Sequence, residues 1–229
     1  MILKKAKGLT MKNIFLTVIL LSFYFVGCDK VTNPPEELGR KITAKEKTDD
    51  VLSRARFNFA SDAKLAAIYG WNVDLSGKVD LLKTDNAFVY VVQSNSLGSN
   101  DFWIYQFAGL PIRSSINFKT MLTLVKDSIA AQILGKVLNR LSKLAIDPSA
   151  NYQDSPAIID TALSNGGKTF LSQNSGVKID MFLLPSKSID TTLVVNNSAD
   201  WIVNFYTNNK SLVLWINSNS GNITKLSAN

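Results

Sequence analysis

Apolar and polar positions along the chain fall into three rhythms. The first is an unbroken run: Ile14 to Val26 is aliphatic and aromatic almost throughout, and no charge falls between Asn13 and Gly27. The second has the 3.6-residue period of a helix. Val51, Leu52 and Ala55 follow Asp49, which reads as the N-cap of a helix that stops before Ser61-Asp62. Ile116 to Ala145 is the longest such stretch. Phe118, Met121, Leu122, Val125, Ile129 and Ile133 share one face, and Leu134, Val137, Leu138, Leu141 and Leu144 share a rotated one, so a kink is expected near Ala131–Gly135. Ser155-Pro156 opens a third helix with a capping residue ahead of proline. Ile158, Ile159, Ala162 and Leu163 line its stripe, and Gly166-Gly167 is expected to end it.

The third rhythm has a period of two and predicts strands. Leu65, Ala67, Tyr69, Trp71 and Val73 fall on one side of an extended segment, which Asp74-Leu75-Ser76-Gly77 closes as a turn. Ala87 to Gln93 and Phe102 to Phe107 are two more strands around the polar loop Ser94 to Asp101. Val177 to Leu184, Asp200 to Tyr206, Ser211 to Asn217 and Asn222 to Leu226 complete the set, with turns at Asn208-Asn209 and Ser218 to Gly221. Helices and antiparallel strands that alternate in blocks define an α+β fold.

The charges around the apolar run give it a meaning. Lys4, Lys5, Lys7 and Lys12 precede it, and it is shorter than the roughly 20 residues that span a bilayer. That polarity is the polarity of an export signal. Phe25-Val26-Gly27-Cys28 resembles the processing site of bacterial lipoproteins, with Phe25 where leucine is usual. The resemblance implies cleavage between Gly27 and Cys28 and attachment of diacylglycerol to the Cys28 thiol. The partner it implies is a membrane, reached through the N-terminal lipid, and the location is the bacterial cell envelope, on the outer membrane or facing the periplasm. Cys28 is the only cysteine, so it has no internal disulfide partner. Residues 1–27 read as the signal and 28–48, with Pro34-Pro35, Gly39 and many charges, as a flexible tether.

The formal charge of +7 belongs largely to that signal. Four of the 25 basic residues and none of the 18 acidic ones precede Cys28, which leaves +3 beyond it and no block of like charge to bind nucleic acid. The chain contains no histidine. Ser–His and Cys–His nucleophile pairs are therefore excluded, and zinc, copper and non-haem iron lose their usual ligands. No cofactor, metal or catalytic residue is expected.

Two segments match: Trp103-Ile104-Tyr105-Gln106-Phe107 and Trp201-Ile202-Val203-Asn204-Phe205. They suggest an internal repeat of two halves, 49–145, ending in the long helical segment, and 146–229. The second half resembles a PepSY-like domain. The resemblance rests on Ser155 to Gly167 as a leading helix, Asp200 to Phe205 as a strand, and a last hairpin from Leu212 to Asn217 through Ser220-Gly221-Asn222-Ile223. Asn217 stands where that family has aspartate and Ser220 where it has threonine. The fold it implies is two helix-plus-antiparallel-sheet halves joined by a central helical segment. The function it implies is a non-catalytic module that binds or inhibits an envelope protein or peptide.

Individual residues offer other chemistry. Trp103 and Trp201, and beyond them Trp71 and Trp215, are candidate aromatics for a glycan- or polymer-binding surface, although strand alternation also suits them to a core. Asp74, Asp80 and Asp85 lack calcium-loop spacing and read as turn residues. Asp101 and Asp200 each open a tryptophan-bearing strand. A His-free hydrolase would need two such carboxylates in one cleft, and Ser–Lys pairings are too many to single one out. Gly166-Gly167-Lys168-Thr169 follows a helix and lacks the first glycine of a phosphate loop, so it is set aside.

Overall fold

The computed structural model describes residues 40–97, 102–108, 113–114, 145–146, 150–186, 199–218 and 221–228. Gly27, Cys28, Asp101 and nearly all of the 116–145 helical pattern lie outside these residues. In chain order the elements are β1 (Lys41–Ile42), α1 (Thr48–Asn58), β2 (Lys64–Trp71), β3 (Val79–Asp80), β4 (Ala87–Gln93), β5 (Phe102–Ala108) and β6 (Arg113–Ser114). Then come α2 (Ser155–Ala162), α3 (Lys168–Gln173), β7 (Lys178–Pro185), β8 (Ala199–Tyr206), β9 (Ser211–Ile216) and β10 (Ile223–Ala228). The fold is α+β around one large antiparallel sheet.

That sheet has eight strands in the order β10-β9-β8-β7-β2-β4-β5-β6, and β1 pairs with β3 separately. The order is symmetric about the β2–β7 pair: each first strand lies at the centre and later strands run outward. The sequence match between Trp103 and Trp201 does not follow this symmetry. Trp201 sits on β8, next to the centre, whereas Trp103 sits on β5, one strand further out. By position β8 corresponds to β4, so the matched segments share a half-buried strand composition rather than a place in a repeat.

Both helices with buried stripes pack on one face of the sheet. Val51 and Ala55 of α1 and Ile158, Ile159 and Ala162 of α2 are buried in a core with Phe88, Tyr90, Met181, Leu183, Trp201, Val203, Phe205 and Leu214. The helix α1 lies over β4, and α2 lies over β8 and β9. At about 25 cal/mol per Å² of apolar surface, this shared core is the main source of stability.

Four local readings are corrected by the structure. Asp49, expected to cap the first helix, lies within the first turn of α1, whose cap position is Lys47. Residues 40–48, placed by sequence in the tether, belong to the fold: Ile42 and Ala44 are fully buried. The Ala44 N–H donates to Ser155 Oγ at 3.0 Å and the Lys45 N–H to Asp154 Oδ1 at 2.9 Å. Asp154, not Ser155, caps α2, accepting from the Ser155 N–H at 2.7 Å. Gly166-Gly167 does not end the helical path but bends it. Asn165 (φ −111°) and Gly166 (φ +113°) leave helical geometry, and α3 resumes beyond them. A Cβ on Gly167 would lie 2.8 Å from the Phe205 ring, so glycine lets the bend approach β8.

Strand β2 also departs from simple alternation. A bulge between Leu65 and Ala67 breaks its register with β4, and Leu65 joins Ile68 in the helix-side core. Val73 reaches the same core beyond Asn72, whose φ is +48°. Only Ala67, Tyr69 and Trp71 of the expected stripe share the other face.

At one end of the sheet a carboxylate ties two loops together. Asp62 accepts hydrogen bonds from Ser94 Oγ at 2.5 Å, Ser96 Oγ at 2.9 Å, and the Asn95 and Ser96 N–H groups at 3.0 and 3.1 Å. The Ser94 and Ser96 hydroxyls above all hold its pKa at about 2, below the ordinary 3.8. A depressed carboxylate contributes fully above the ordinary value, and its contribution is lost as pH falls from about 4 through about 2. Amide exchange at Asn95 and Ser96 should therefore accelerate over that window, and Asp62→Asn should show fast exchange already at neutral pH.

Candidate functional site

The face of the sheet opposite the described helices is the candidate site. Register places Gln106, Val89, Tyr69, Phe182, Ile202 and Trp215 in one row across β5, β4, β2, β7, β8 and β9. Toward β9 this face keeps half-buried Phe182, Leu184, Tyr206, Val213 and Trp215, joined from β2 by Trp71. Tyr69 stacks on Phe182 with ring centroids 4.6 Å apart.

Two buried carboxylates sit among these rings. Asp180 accepts from the Tyr69 hydroxyl at 3.1 Å, the Tyr206 hydroxyl at 3.3 Å and the Asn72 N–H at 3.0 Å. Burial first, then the Asp180 charge, pushes both phenol pKa values well up, so both hydroxyls stay protonated and donate. Asp200 accepts from the Trp215 indole N–H at 3.0 Å and from the Ser218 N–H at 3.3 Å. Sequence reasoning missed Asp180. The available signal was an aspartate inside an otherwise apolar strand, where that residue is disfavoured unless partnered.

Three buried amide side chains each leave one atom without a hydrogen bond: Gln93 Oε1, Gln106 Nε2 and Asn204 Oδ1. Strand parity places all three on this same face.

The two tryptophans put forward from sequence are not on it. Trp201 is 0% exposed on the helix side and donates from Nε1 to the Gln153 carbonyl at 2.9 Å. Trp103 is 6% exposed and packs with Tyr105, centroids 5.3 Å apart. Their alternation reflected core packing; the half-buried tryptophans are Trp71 and Trp215.

The remaining carboxylates serve their own turns. Asp74 Oδ1 accepts from the Ser76 N–H, Ser76 Oγ and the Lys78 N–H, and Lys41 Nζ pairs with Oδ2 at 2.8 Å. Burial pushes the Asp74 pKa up, but the Lys41 and Ser76 hydrogen bonds outweigh it and hold the carboxyl below its ordinary value. Asp80 Oδ1 accepts from the Leu82 N–H at 3.0 Å, and the Asp85 carbonyl accepts from Asn72 Nδ2 at 2.9 Å. Among the described residues no three of the His, Cys, Asp or Glu type gather as a metal site. Among them, too, no helix is long and apolar enough to cross a membrane.

No family model and no curated protein matches the chain. A solved structure, that of a candidate lipoprotein from Clostridium difficile 630, is similar over 79% of this chain and 91% of its own, at 12% identity and a TM-score of 0.39. A likeness at that level carries no argument about fold or function.

Proposed function

We propose that this chain is a non-catalytic lipoprotein of the bacterial envelope, built from two PepSY-like halves, that holds an envelope protein or peptide against the face of its sheet away from the described helices. The observation that carries the reading is the half-buried group of Trp71, Phe182, Leu184, Tyr206, Val213 and Trp215 on the face away from the helices. Aromatic anchors among aliphatic side chains, over buried polar groups, match the centre of a protein-binding surface. The symmetric strand order supports the two-halves reading.

The face suits this role better than the sheet edge. Edge strand β10 carries a register break between Lys225 and Ser227, and Lys225 is exposed. A bulge and an edge lysine are devices that discourage strand addition. A glycan-binding surface would rest on Trp71 and Trp215, but the aliphatic neighbours Leu184, Ile202 and Val213 offer sugars few hydrogen bonds. A carboxylate hydrolase fits less well still. Asp180 lies opposite Asn204 and Leu184 opposite Asp200, which puts the two carboxylates about 13 Å apart along the strands. That exceeds the roughly 5–9.5 Å of paired catalytic carboxylates.

The anchor is tested by intact mass and detergent partitioning of the native protein beside Cys28→Ser. The expected native form starts at Cys28, carries acyl mass and enters the detergent phase, because two or more chains at about 0.8 kcal/mol per methylene make release negligible. The variant should stay unacylated and aqueous. A native protein of unmodified mass would remove the anchor from this reading.

A further inference from the structure

Among the described residues four large apolar side chains are substantially exposed, in two pairs at opposite ends of the sheet. Phe57 lies at the end of α1, ahead of β2, and Leu97 follows the loop that Asp62 holds after β4. Leu75 and Leu82 are 54% and 66% exposed at the other end, where β2 leaves the sheet at Trp71 and β4 enters it at Ala87. Both lie close to Lys41. Its Nζ pairs with Asp74, beside Leu75, at 2.8 Å, and its backbone stands opposite Asp80, two residues before Leu82. Lys83, Lys178 and Lys210 are exposed at the same end. Lys178 opens β7 opposite Tyr206 of β8, and Lys210 closes the turn from β8 into β9. Asp85 is exposed there too, so a contact at this end would draw on apolar area first and on charge second.

A singly exposed leucine is ordinary; what distinguishes this end is where the chain enters the fold. The Leu81 N–H donates to the Arg40 carbonyl at 3.2 Å, so the entry point lies beside Leu82. Eleven residues separate Arg40 from Cys28, a reach of at most about 40 Å at about 3.5 Å per residue. The end bearing Phe57 lies farther off by the length of β2, about 25 Å for its eight residues. A lipid on Cys28 therefore brings a bilayer to the Leu75–Leu82 end first. So short an attachment gives a roughly millimolar local concentration, at which a contact too weak to act alone is occupied. Leucines set among ammonium groups match the boundary between acyl chains and lipid phosphates. We propose that this end of the fold rests on the lipid surface through Leu75 and Leu82, with the strands rising from the membrane and the sheet faces in the aqueous phase. The proposal rests on the Cys28 anchor and adds the orientation that the anchor imposes.

The test is nitroxide accessibility on the acylated full chain in vesicles of phosphatidylethanolamine and phosphatidylglycerol. With Cys28 acylated, an introduced cysteine is the chain's one free thiol. The label goes on Lys83→Cys, beside Leu82, or on Arg56→Cys, beside Phe57. Position 83 should favour oxygen over a water-soluble nickel chelate by roughly fivefold or more relative to position 56. Adding Leu75→Ser and Leu82→Ser should bring position 83 to the value at position 56, while flotation with the vesicles persists and the melting temperature holds. An unchanged ratio in that variant would overturn the role of the leucines. Equal aqueous access at both positions, with the protein still floating, would overturn the lipid contact and leave the anchor standing. Lipid exposure at position 56 alone would overturn it by reversing the orientation. Nickel access lost at position 83 in native membranes but kept in vesicles would overturn it by making the occupant a protein. Protein that does not float would overturn the anchor and the contact together.

Discussion

Replacing Trp201 by alanine is expected to destabilise the fold by about 4 kcal/mol, within the 3–5 kcal/mol range of buried aromatic truncations. The side chain is fully buried on the helix side of β8. It packs in the core that α1 and α2 share, so truncation leaves a cavity that two elements would have to close. The loss has a second part. Trp201 Nε1 donates to the Gln153 carbonyl, and Gln153 immediately precedes Asp154, the cap of α2. Trp201→Phe keeps most of the apolar volume and removes the donor, so it should cost about 1–2 kcal/mol. Equilibrium urea unfolding of the three proteins checks both values. If Trp201→Ala unfolded normally but lost a binding activity, Trp201 would be a surface residue, contrary to its burial.

The second large effect lies at Gly77, where the Asp74 turn meets the start of α2. Gly77 has φ +71°, and a Cβ there would lie 2.5 Å from the Ser155 carbonyl oxygen and 2.7 Å from the Pro156 nitrogen. Those atoms are backbone and cannot swing aside. The opening of α2 is also held to the β1 segment by Ala44 and Lys45. Gly77→Ala therefore adds overpacking, roughly 1–3 kcal/mol, to a left-handed penalty of roughly 1–2 kcal/mol. A total near 3 kcal/mol corresponds to a fall in melting temperature of about 10 °C for a chain of this size. Gly176 provides the control, since its φ is +65° and a Cβ there meets nothing within 4 Å. Gly176→Ala should show the left-handed penalty alone. Equal effects at the two positions would mean that contact with α2 contributes nothing.

The sequence was most legible where a single rhythm ran undisturbed. Ala87 to Gln93 reads as a strand with the observed bounds, and α1 follows Val51 and Ala55 as their spacing requires. Legibility failed where a contact distant in sequence decided the outcome. Residues 40–48 look like a charged linker because only Ile42 and Ala44 are apolar, and their burial depends on Ser155 and Asp154 more than a hundred residues away. Gly166-Gly167 looks like a helix stop because the signal for glycine is local, whereas here it serves close approach to Phe205. The bulge in β2 moved Leu65 across the sheet, a one-residue event that no alternation count detects.

The candidate site was legible only in kind. Alternating aromatics announced a sheet with two apolar faces, but not which tryptophans would be left half-buried. Trp103 and Trp215 have the same local pattern and different neighbours, and the neighbours decide exposure. Asp180 gave no spacing signal at all, because Tyr69 and Asn72 reach it from another strand.

The most direct measurement is site-specific photo-cross-linking in intact cells, with a benzophenone side chain placed singly at Phe182, Trp215, Lys225 or Phe57. Phe182 and Trp215, both half-buried, sample the face away from the described helices, Lys225 the sheet edge, and Phe57, 89% exposed on α1, the helix side. Binding on that face predicts one discrete adduct from Phe182 and Trp215 and none from the other two. Adducts confined to Lys225 or Phe57 would contradict it and move the binding surface to the edge or to the helices.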